Sequence, residues 1–377
     1  MAYEDKYLEF EQYIHATESE PKERAELWQT AIGLQKVDGL SVSDYLIETA
    51  KKHIEGVVSI DDVDALISTY YRSEAAREIP EDMKEADEVS KNIVRVLSEP
   101  SFSFSVQGLA GLHRRIFKGV MKHAGDFRQY NITKKEWVLD GETVLYGPFE
   151  DLTRTIEYDL EQERSFRYKG LTQIQIIEHL ARFISGIWQI HPFPEGNTRT
   201  TAVFLIKYLR SMGIPATNDM FKEHSWYFRN ALVRANYRNA LKGIEPTTEY
   251  LVLFLRNLII GGNNELKNRY LHIRWNDAKP QNDVLESSKR QNDVLETSKM
   301  LTEKLTLKEM AVIRLITTDP KISIASITTK TGLSRRTVDR IIATLKEKNL
   351  LTRQGAKNNA TWVIQLPNGS LYIDGFH

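Results

Sequence analysis

TQIQIIEHLARFISGIWQI (172–190), HPFPEGN (191–197) and TRTTAVFLIKYLRSM (198–212) form the continuous stretch that decides the fold. The first and third parts carry apolar residues at spacings of three and four, which predicts two buried helices. The middle part contains two prolines and a glycine, which predicts a loop. Because both flanking helices are strongly apolar, we expect them to hold this loop rigidly.

The loop carries residues suited to binding an anion and moving a proton. Gly196 permits backbone conformations that other residues resist, and the amides after it enter a helix N-terminus, which attracts anions. Arg199 lies in that first turn, where the helix dipole disfavours a cation, so an anionic ligand is expected. Glu195 offers an oxygen ligand for Mg²⁺, and His191 a general base. Within nine residues this combination predicts phosphoryl or nucleotidyl transfer, although each residue alone is typical of a solvated connector.

Several motifs together resemble those of the Fic family. HPFPEGNTRT (191–200) is similar to the Fic motif HPFx(D/E)GNxRxxR, and AGDFR (124–128) to the family's AG-x-(Y/F)-R element. The segment 135–146 resembles its target-docking flap, and FRNALVRAN (228–236) the segment that lines its nucleotide-base pocket. The resemblance covers roughly residues 60–275, and the N-terminal region is similar to the antitoxin-like helical extension of one Fic subgroup.

This resemblance implies a protein adenylyltransferase that moves AMP from Mg-ATP to a Ser, Thr or Tyr hydroxyl of a target protein, with pyrophosphate leaving and self-modification included. His191 would deprotonate the hydroxyl, Glu195 would bind Mg²⁺, and Arg199 would contact the β-phosphate. Thr198 stands where the family has glycine. The residues that the resemblance assigns to ATP and its phosphates are Glu195, Gly196, Asn197, Thr198 and Arg199.

The base pocket and the flap are implied by the same resemblance. Asn236 matches a family residue that contacts adenine, whereas Phe228 and Arg229 stand where the family often has two aromatics. Core packing is an equal alternative for Phe228. Val138 and Leu139 would cover the base or pair with an extended target segment, or else form an ordinary buried hairpin face.

The chain departs from the family at the inhibitory salt bridge. The second arginine of the motif, which in many members binds the γ-phosphate and pairs with an inhibitory glutamate, is Ala202. The closest match to the inhibitory helix, (S/T)xxxE(G/N), is LQKVDG, with Leu34 for Ser or Thr and Asp38 for Glu before Gly39. We therefore expect weak inhibition or none; alternatively, this segment only ends a packing helix. The change also leaves open a donor other than ATP.

The rest of the chain predicts a mainly α fold: a Fic-type helical core with a small β-hairpin flap, then a winged helix-turn-helix. Asp140-Gly141 lies between two β-rich runs, which predicts the hairpin. The predicted units are an N-terminal helical extension (1–60), the catalytic domain (61–275), a linker with a ten-residue duplication (276–304) and the winged helix (305–377). The helices predicted for the catalytic domain are 62–72, 85–98, 105–118, 150–164, 172–189, 199–212, 224–236 and 247–259.

The C-terminal run ASITTKTGLSRRTVDRIIATL has a helix-turn-helix rhythm, with Gly332 in the turn and Ser334 as the helix N-cap. LLTRQGAKNNATWVIQL after it predicts a two-stranded wing. The cations that would contact DNA are Arg335, Arg336 and Arg340 on the third helix and Arg353 and Lys357 in the wing. A winged helix used for dimerisation or protein docking is an equal alternative, and a homodimer is left open.

Composition narrows the classes of function. Among 377 residues there are no cysteines, so thiolate metal sites and cysteine nucleophiles are excluded. Lys plus Arg equals Asp plus Glu at 51 each, so no bulk preference for nucleic acid or a membrane follows. We find no signal peptide or membrane span and expect a cytoplasmic protein. Besides the adenylyltransferase, two hypotheses stay open: a Fic transferase with another donor, and a DNA-binding regulator with a nucleotide-sensing Fic core.

Overall fold

The computed structural model describes residues 10–14, 19–214, 216, 219–275, 306–348, 350–354 and 361–364. The described part is mainly helical, as predicted. The duplication in the linker 276–304 and Lys357 of the wing lie outside the described residues.

The N-terminal helices pack against the rest of the helical core. They are α1 (Glu11–Ile14), α2 (Ser19–Gln35), α3 (Asp44–Ile54) and α4 (Ile60–Tyr70). A 3₁₀ turn, Lys36–Asp38, follows α2 and ends at Gly39, whose φ of 74° is left-handed; glycine adopts this conformation without a steric penalty. Ser43 then caps α3 by accepting a hydrogen bond from the Leu46 amide. Because α2 packs on α5 and α10, Val37 of the 3₁₀ turn is buried, whereas Asp38 and Gly39 are exposed at the edge of this packing.

The predicted helices of the central region all form, with ends shifted by a few residues. They are α5 (Glu81–Ser98), α6 (Val106–Ile116), α7 (Leu152–Ser165), α8 (Gln173–Ile190), α9 (Asn197–Ser211), α10 (Asp219–Ala235) and α11 (Glu249–Ile260). Residues from Asn197 to Leu209 of α9 are all buried, so α9 runs through the core rather than along its surface. The loop between α8 and α9 is therefore anchored on both sides by buried helices.

The flap segment (residues 135–146) does not form the predicted pair of strands. The turn at Asp140-Gly141 has positive φ at both residues, as expected, but a 3₁₀ turn over Trp137–Leu139 replaces the first strand. Val138 and Leu139 are fully buried, and the Val138 carbonyl accepts from the Ile273 amide. These two residues thus form a buried face, and in this conformation they cannot cover a base or pair with a target segment. Core packing has overridden the local β propensity.

The C-terminal unit has the predicted winged-helix order. It contains α12 (Leu307–Thr318), α13 (Ile324–Thr331), α14 (Arg335–Glu347), β1 (Leu351–Gln354) and β2 (Thr361–Ile364), with the two strands antiparallel and Leu351 opposite Ile364. Gly332 is left-handed at φ 66°, and the Ser334 hydroxyl accepts from the Thr337 amide, as expected for turn and N-cap. This unit has its own small core. No helix in the described ranges is long and apolar enough to cross a membrane.

Candidate functional site

His191 is held in an orientation that suits a general base. It ends α8 in the left-handed region at φ 51°, a strained conformation for a residue other than glycine. Its Nδ1 lies 3.3 Å from the Trp188 carbonyl oxygen, which can only accept, so Nδ1 carries the proton. The other nitrogen, Nε2, is buried and has no hydrogen-bond partner among the described residues. The bare lone pair of His191 is thus on Nε2.

Burial also sets the charge of this imidazole. The His191 side chain is buried and the residue is 3% exposed, and this desolvation lowers its pKa well below the usual histidine value, with further lowering by Lys134. Because the protonated form is disfavoured, His191 is neutral at pH 7 and its Nε2 can accept a proton.

Asn197 and His113 fix the shape of the loop after His191. The Asn197 side chain accepts from the Phe193 amide at 3.0 Å and donates to the Phe193 carbonyl at 2.7 Å. The Gly125 amide donates to Nδ1 of His113, which leaves the proton on Nε2 to donate to the Glu195 carbonyl at 3.1 Å. Burial lowers the pKa of His113 to about 4, so it stays neutral. Sequence reasoning missed this role of His113.

Gly196 is required by its backbone and by its neighbour. Its φ is 71°, and a Cβ placed on it would lie 2.2 Å from Cζ of Phe117. Directly after it, the amides of Asn197, Thr198 and Arg199 donate to no described residue, as expected for the first turn of a helix. These amides form an anion-attracting end of α9 beside the His191 loop.

Thr198, which replaces the family's glycine, has a structural partner. The indole N–H of Trp188 donates to the Thr198 hydroxyl at 2.9 Å. This bond joins the last turn of α8 to the first turn of α9, across the loop that separates them. Trp188 also contacts the His191 ring edge-on. The Thr198 hydroxyl therefore stabilises the indole that packs against the imidazole.

Arg199 forms ion pairs with two acidic groups of the chain, although its Nε makes no well-aligned hydrogen bond. Its Nε lies 2.8 Å from an Asp38 carboxylate oxygen, and one of its terminal nitrogens lies 2.8 Å from Glu85. The other terminal nitrogen donates to the Gln35 side chain at 3.0 Å, and the guanidinium lies over the Phe117 ring. The guanidinium is almost fully buried, and two carboxylates occupy the position proposed for a phosphate.

The inhibitory-helix candidate thus contacts the motif arginine. Asp38 pairs with Arg199 rather than with position 202, where the family's second arginine is replaced by Ala202. Whether this ion pair inhibits the site stays a prediction. Leu34 is buried in the core and Gly39 ends the turn that presents Asp38.

The residues expected around adenine have different environments. Phe228 is fully buried and packs on Phe221 and Phe254, which favours the core-packing alternative. The side-chain amide of Asn236 donates to the carbonyls of Ser185 and Leu232. Phe228 therefore has no exposed face for a base, and the Asn236 side chain is hydrogen-bonded to backbone carbonyls.

Arg229 links the flap segment to the N-terminal turn. It binds both carboxylate oxygens of Glu136 at 3.0 and 2.9 Å and lies 3.4 Å from Asp38. Glu136 is buried and also accepts from the Tyr146 hydroxyl, while the Tyr146 ring lies 4.3 Å from the His191 ring between centroids. A continuous path of contacts therefore joins the imidazole to Asp38.

The Glu195 carboxylate is exposed and makes no hydrogen bond or ion pair with the described residues. A free oxygen ligand beside an anion-attracting helix end fits one ligand of Mg²⁺, which usually takes the remainder from phosphates and water. The donor chemistry of the loop is therefore compatible with a magnesium polyphosphate.

A known family model matches part of this helical core. Residues 103–209 match the model of the Fic/DOC family. The chain carries a Fic/DOC domain. Its match includes α6, the flap segment, α7, α8, the His191 loop and most of α9. Residues 305–352 match the model described as winged helix-turn-helix DNA-binding, in agreement with the architecture of the C-terminal unit.

Two solved structures with some similarity to this chain are Fic proteins. One is a Fic family protein from Desulfovibrio desulfuricans G20, with 13% identity, a TM-score of 0.40, and coverage of 99% of this chain and 95% of that one. The other is the N-terminal FIC domain of Bep8, a VirB-translocated Bartonella effector protein from Bartonella sp. 1-1C. It has 16% identity, a TM-score of 0.36, and coverage of 54% of this chain and 88% of that one. At these TM-scores neither likeness adds to the conclusion, and no curated relative matches the chain.

The winged helix presents the predicted cations to solvent. Arg335, Arg336 and Arg340 are exposed on α14, with Arg335 lying 3.9 Å from Asp339. Arg353 in β1 is also exposed and lies over the Trp362 ring. The first two helical arginines begin α14, the helix that follows the turn.

Proposed function

We propose that the chain is a protein adenylyltransferase that moves AMP from Mg-ATP to a hydroxyl of a target protein. The observation that carries the proposal is the loop that places the bare Nε2 of neutral His191 before the free amides of α9. A base at one end and an anion-attracting helix terminus at the other are what transfer from a polyphosphate requires.

In the proposed reaction the target oxygen attacks the α-phosphorus of ATP, and its proton passes to Nε2 of His191. The bond from the α-phosphorus to the bridging oxygen breaks, and pyrophosphate leaves. Mg²⁺, held in part by Glu195, would neutralise charge on the phosphates. The amides at the start of α9 would bind phosphate oxygens, and Gly196 would keep the backbone conformation that presents them, because a Cβ there would clash with Phe117. Arg199 would reach the β-phosphate once Asp38 withdraws.

The adenosine end of the proposal depends on rearrangement. Arg229 lies within α10 and is tied to Glu136, and Asn236 directly follows α10 and is tied to backbone carbonyls. The flap segment would have to move to expose a base pocket, because its own residues Val138 and Leu139 are buried in the core.

The direct test is incubation of the full chain with ATP labelled at the α-phosphate, Mg²⁺ and a cell lysate. We expect labelled protein and an intact-mass gain equal to one AMP. His191→Ala should lower labelling by about 10²–10⁴-fold, the usual effect of losing a general base. His123→Ala, which removes an exposed histidine, is the matched control and should label normally.

Two results would contradict the proposal: undiminished labelling by His191→Ala, or no labelling of any protein by a chain that binds ATP. A mass gain other than AMP would instead identify another donor or another transferred group. Label from the γ-phosphate but not the α-phosphate would assign phosphate transfer.

DNA binding by the winged helix is a second proposed activity, favoured by the exposed arginines at the start of α14. The full chain should bind duplex DNA with an affinity that falls as salt rises, because phosphate contacts release counterions. Replacing Arg335, Arg336 and Arg340 with alanine should weaken binding and flatten that salt dependence, by about one unit of slope for each lost phosphate contact. No binding at low salt would favour a protein-docking role.

A further inference from the structure

Arg128 makes an unusual set of contacts for a residue outside the His191 loop. It is almost fully buried, and its Nε donates to the His191 carbonyl at 2.8 Å. One terminal nitrogen donates to the Ile190 carbonyl at 3.3 Å and to the Gly147 carbonyl. The other donates to the Tyr130 carbonyl at 2.7 Å.

These acceptors belong to different parts of the site. The carbonyls of Ile190 and His191 are at the C-terminal end of α8, where the helix dipole favours a cation. The carbonyls of Tyr130 and Gly147 lie on the two sides of the flap segment, just before and just after it. One guanidinium therefore joins the base of the flap to the end of the helix that carries the histidine.

Backbone contacts support the same junction. The Arg128 amide donates to the Pro192 carbonyl at 2.9 Å, directly beyond His191. The Gly147 amide donates to the Gln189 carbonyl at 3.2 Å, and the Gln189 side chain donates to the Leu145 carbonyl. Carbonyls on both sides of the His191 peptide are thus held by Arg128, which constrains the left-handed φ of that residue.

We propose that Arg128 is a positioning residue for His191: its buried fork fixes the histidine backbone and couples it to the base of the flap segment. Arg128 does not contact the reacting atoms. It acts by keeping the imidazole where Nδ1 meets the Trp188 carbonyl and Nε2 faces the substrate side. This inference rests on the proposed function for its kinetic consequence, but its geometric content can be measured without any activity.

The first measurement uses the full wild-type chain with ¹⁵N-labelled histidine and no nucleotide. The His191 nitrogen signals, assigned by their absence in His191→Gln, should report a proton on Nδ1 and a bare Nε2 across neutral pH. Arg128→Gln should convert this single tautomer into a mixture. A wild-type signal that already reports a mixture, or one unchanged in Arg128→Gln, would overturn the proposal even for an inactive protein.

The second measurement separates positioning from general stability. Arg128→Gln should lower kcat for labelling by about 10- to 100-fold, because displacing a reacting group by about 1 Å costs on the order of 100-fold. The KM for ATP should change less than about twofold. Arg128→Lys keeps the charge but loses the planar fork, so it should fall between Gln and wild type. Arg210→Gln removes a partly buried arginine that also donates to a backbone carbonyl, that of Leu97, and should leave kcat nearly unchanged.

The pH profile provides a readout that a purely structural role would not move. The cations around His191 are Lys134, which directly precedes the flap segment, Arg229 of α10 and Arg128 itself; Glu136 reaches the ring only through Tyr146. Each cation disfavours the imidazolium, so loss of Arg128 should raise the His191 pKa and move the acid limb of kcat to higher pH. Arg128→Lys should leave that limb in place.

Outcomes separate the two proposals cleanly. If wild type labels no protein while the histidine signals behave as expected, the proposed function fails and the positioning role stands. If wild type labels and folded Arg128→Lys and Arg128→Gln label at the wild-type rate, the positioning role fails and the adenylyltransferase stands. If neither variant folds, the His191 tautomer of the wild type decides: a proton on Nδ1 alone supports the positioning role, and a mixture overturns it.

Discussion

The segment from His191 to Arg199 has different hydrogen-bond and ion-pair partners at its two ends. At the histidine end, Arg128 and the Trp188 carbonyl hold an uncharged ring whose Nε2 meets no acceptor or donor among the described residues. At the arginine end, the guanidinium contacts Asp38, Glu85 and Gln35. One end thus has an unpaired ring nitrogen, and the other is occupied by side chains of the protein itself.

This difference assigns separate tasks to the two ends. The contacts of His191 come from backbone carbonyls and a residue of the same core, so we expect them to be the same with and without a nucleotide. Two of the contacts of Arg199 come from the end of α2 and the turn after it, outside the matched Fic/DOC region. Under the proposed function, a phosphate at Arg199 would have to compete with Asp38, whereas a target hydroxyl would only have to gain access to His191.

The largest expected effect tests whether the two ends share one rigid loop. Gly196→Ala places a Cβ against the Phe117 ring at a left-handed φ, so the loop must shift. We expect labelling to fall more than about 100-fold and the free energy of unfolding to drop by about 2–4 kcal/mol. Gly243→Ala has a similar φ of 64° but open space around its Cβ, and it should cost about 1 kcal/mol with normal labelling. Equal effects from the two variants would show that φ strain alone matters.

The next effect concerns the occupied end. Asp38→Ala removes one carboxylate from Arg199 and leaves Glu85, so the guanidinium stays oriented but becomes available to a phosphate. A partly exposed ion pair is worth on the order of 1 kcal/mol, so self-labelling at low ATP should rise about three- to tenfold. Asp61→Ala, which breaks an exposed pair with Arg95, should change nothing. An unchanged rate in Asp38→Ala would support the weak inhibition expected from the sequence.

The histidine end could largely be predicted from the sequence. Two prolines, a glycine and two apolar helices define the loop locally, and local patterns are what periodicity and turn chemistry report. The AGDFR motif (124–128) does not by itself indicate a role for Arg128, because the carbonyls that this arginine binds lie on segments far apart in sequence.

The arginine end could not be predicted in this way. The salt bridge from Asp38 to Arg199 joins residues more than 150 positions apart, and the family pattern points to position 202, here Ala202, rather than to Arg199 as the partner of the inhibitory helix. Likewise, nothing local marks Glu85 as a partner. The strands predicted for the flap segment do not form, for a related reason. Val138 and Leu139 lie in a β-rich run, yet burial and the Arg229–Glu136 pair determine their conformation.

The smallest expected effect concerns the Trp188 indole, which packs against the His191 ring and is held by Thr198. It tests whether this contact contributes to the rigidity of His191. Thr198→Val removes the hydroxyl that accepts from the Trp188 indole and leaves a buried donor without its partner. We expect a loss of about 1–2 kcal/mol in the free energy of unfolding and less than a tenfold fall in labelling, because Arg128 still holds the backbone. Thr198→Ser keeps the hydroxyl and should label as wild type does. If Thr198→Val were as impaired as Gly196→Ala, the rigidity of the histidine end would depend on the indole bond more than on the carbonyl contacts of Arg128.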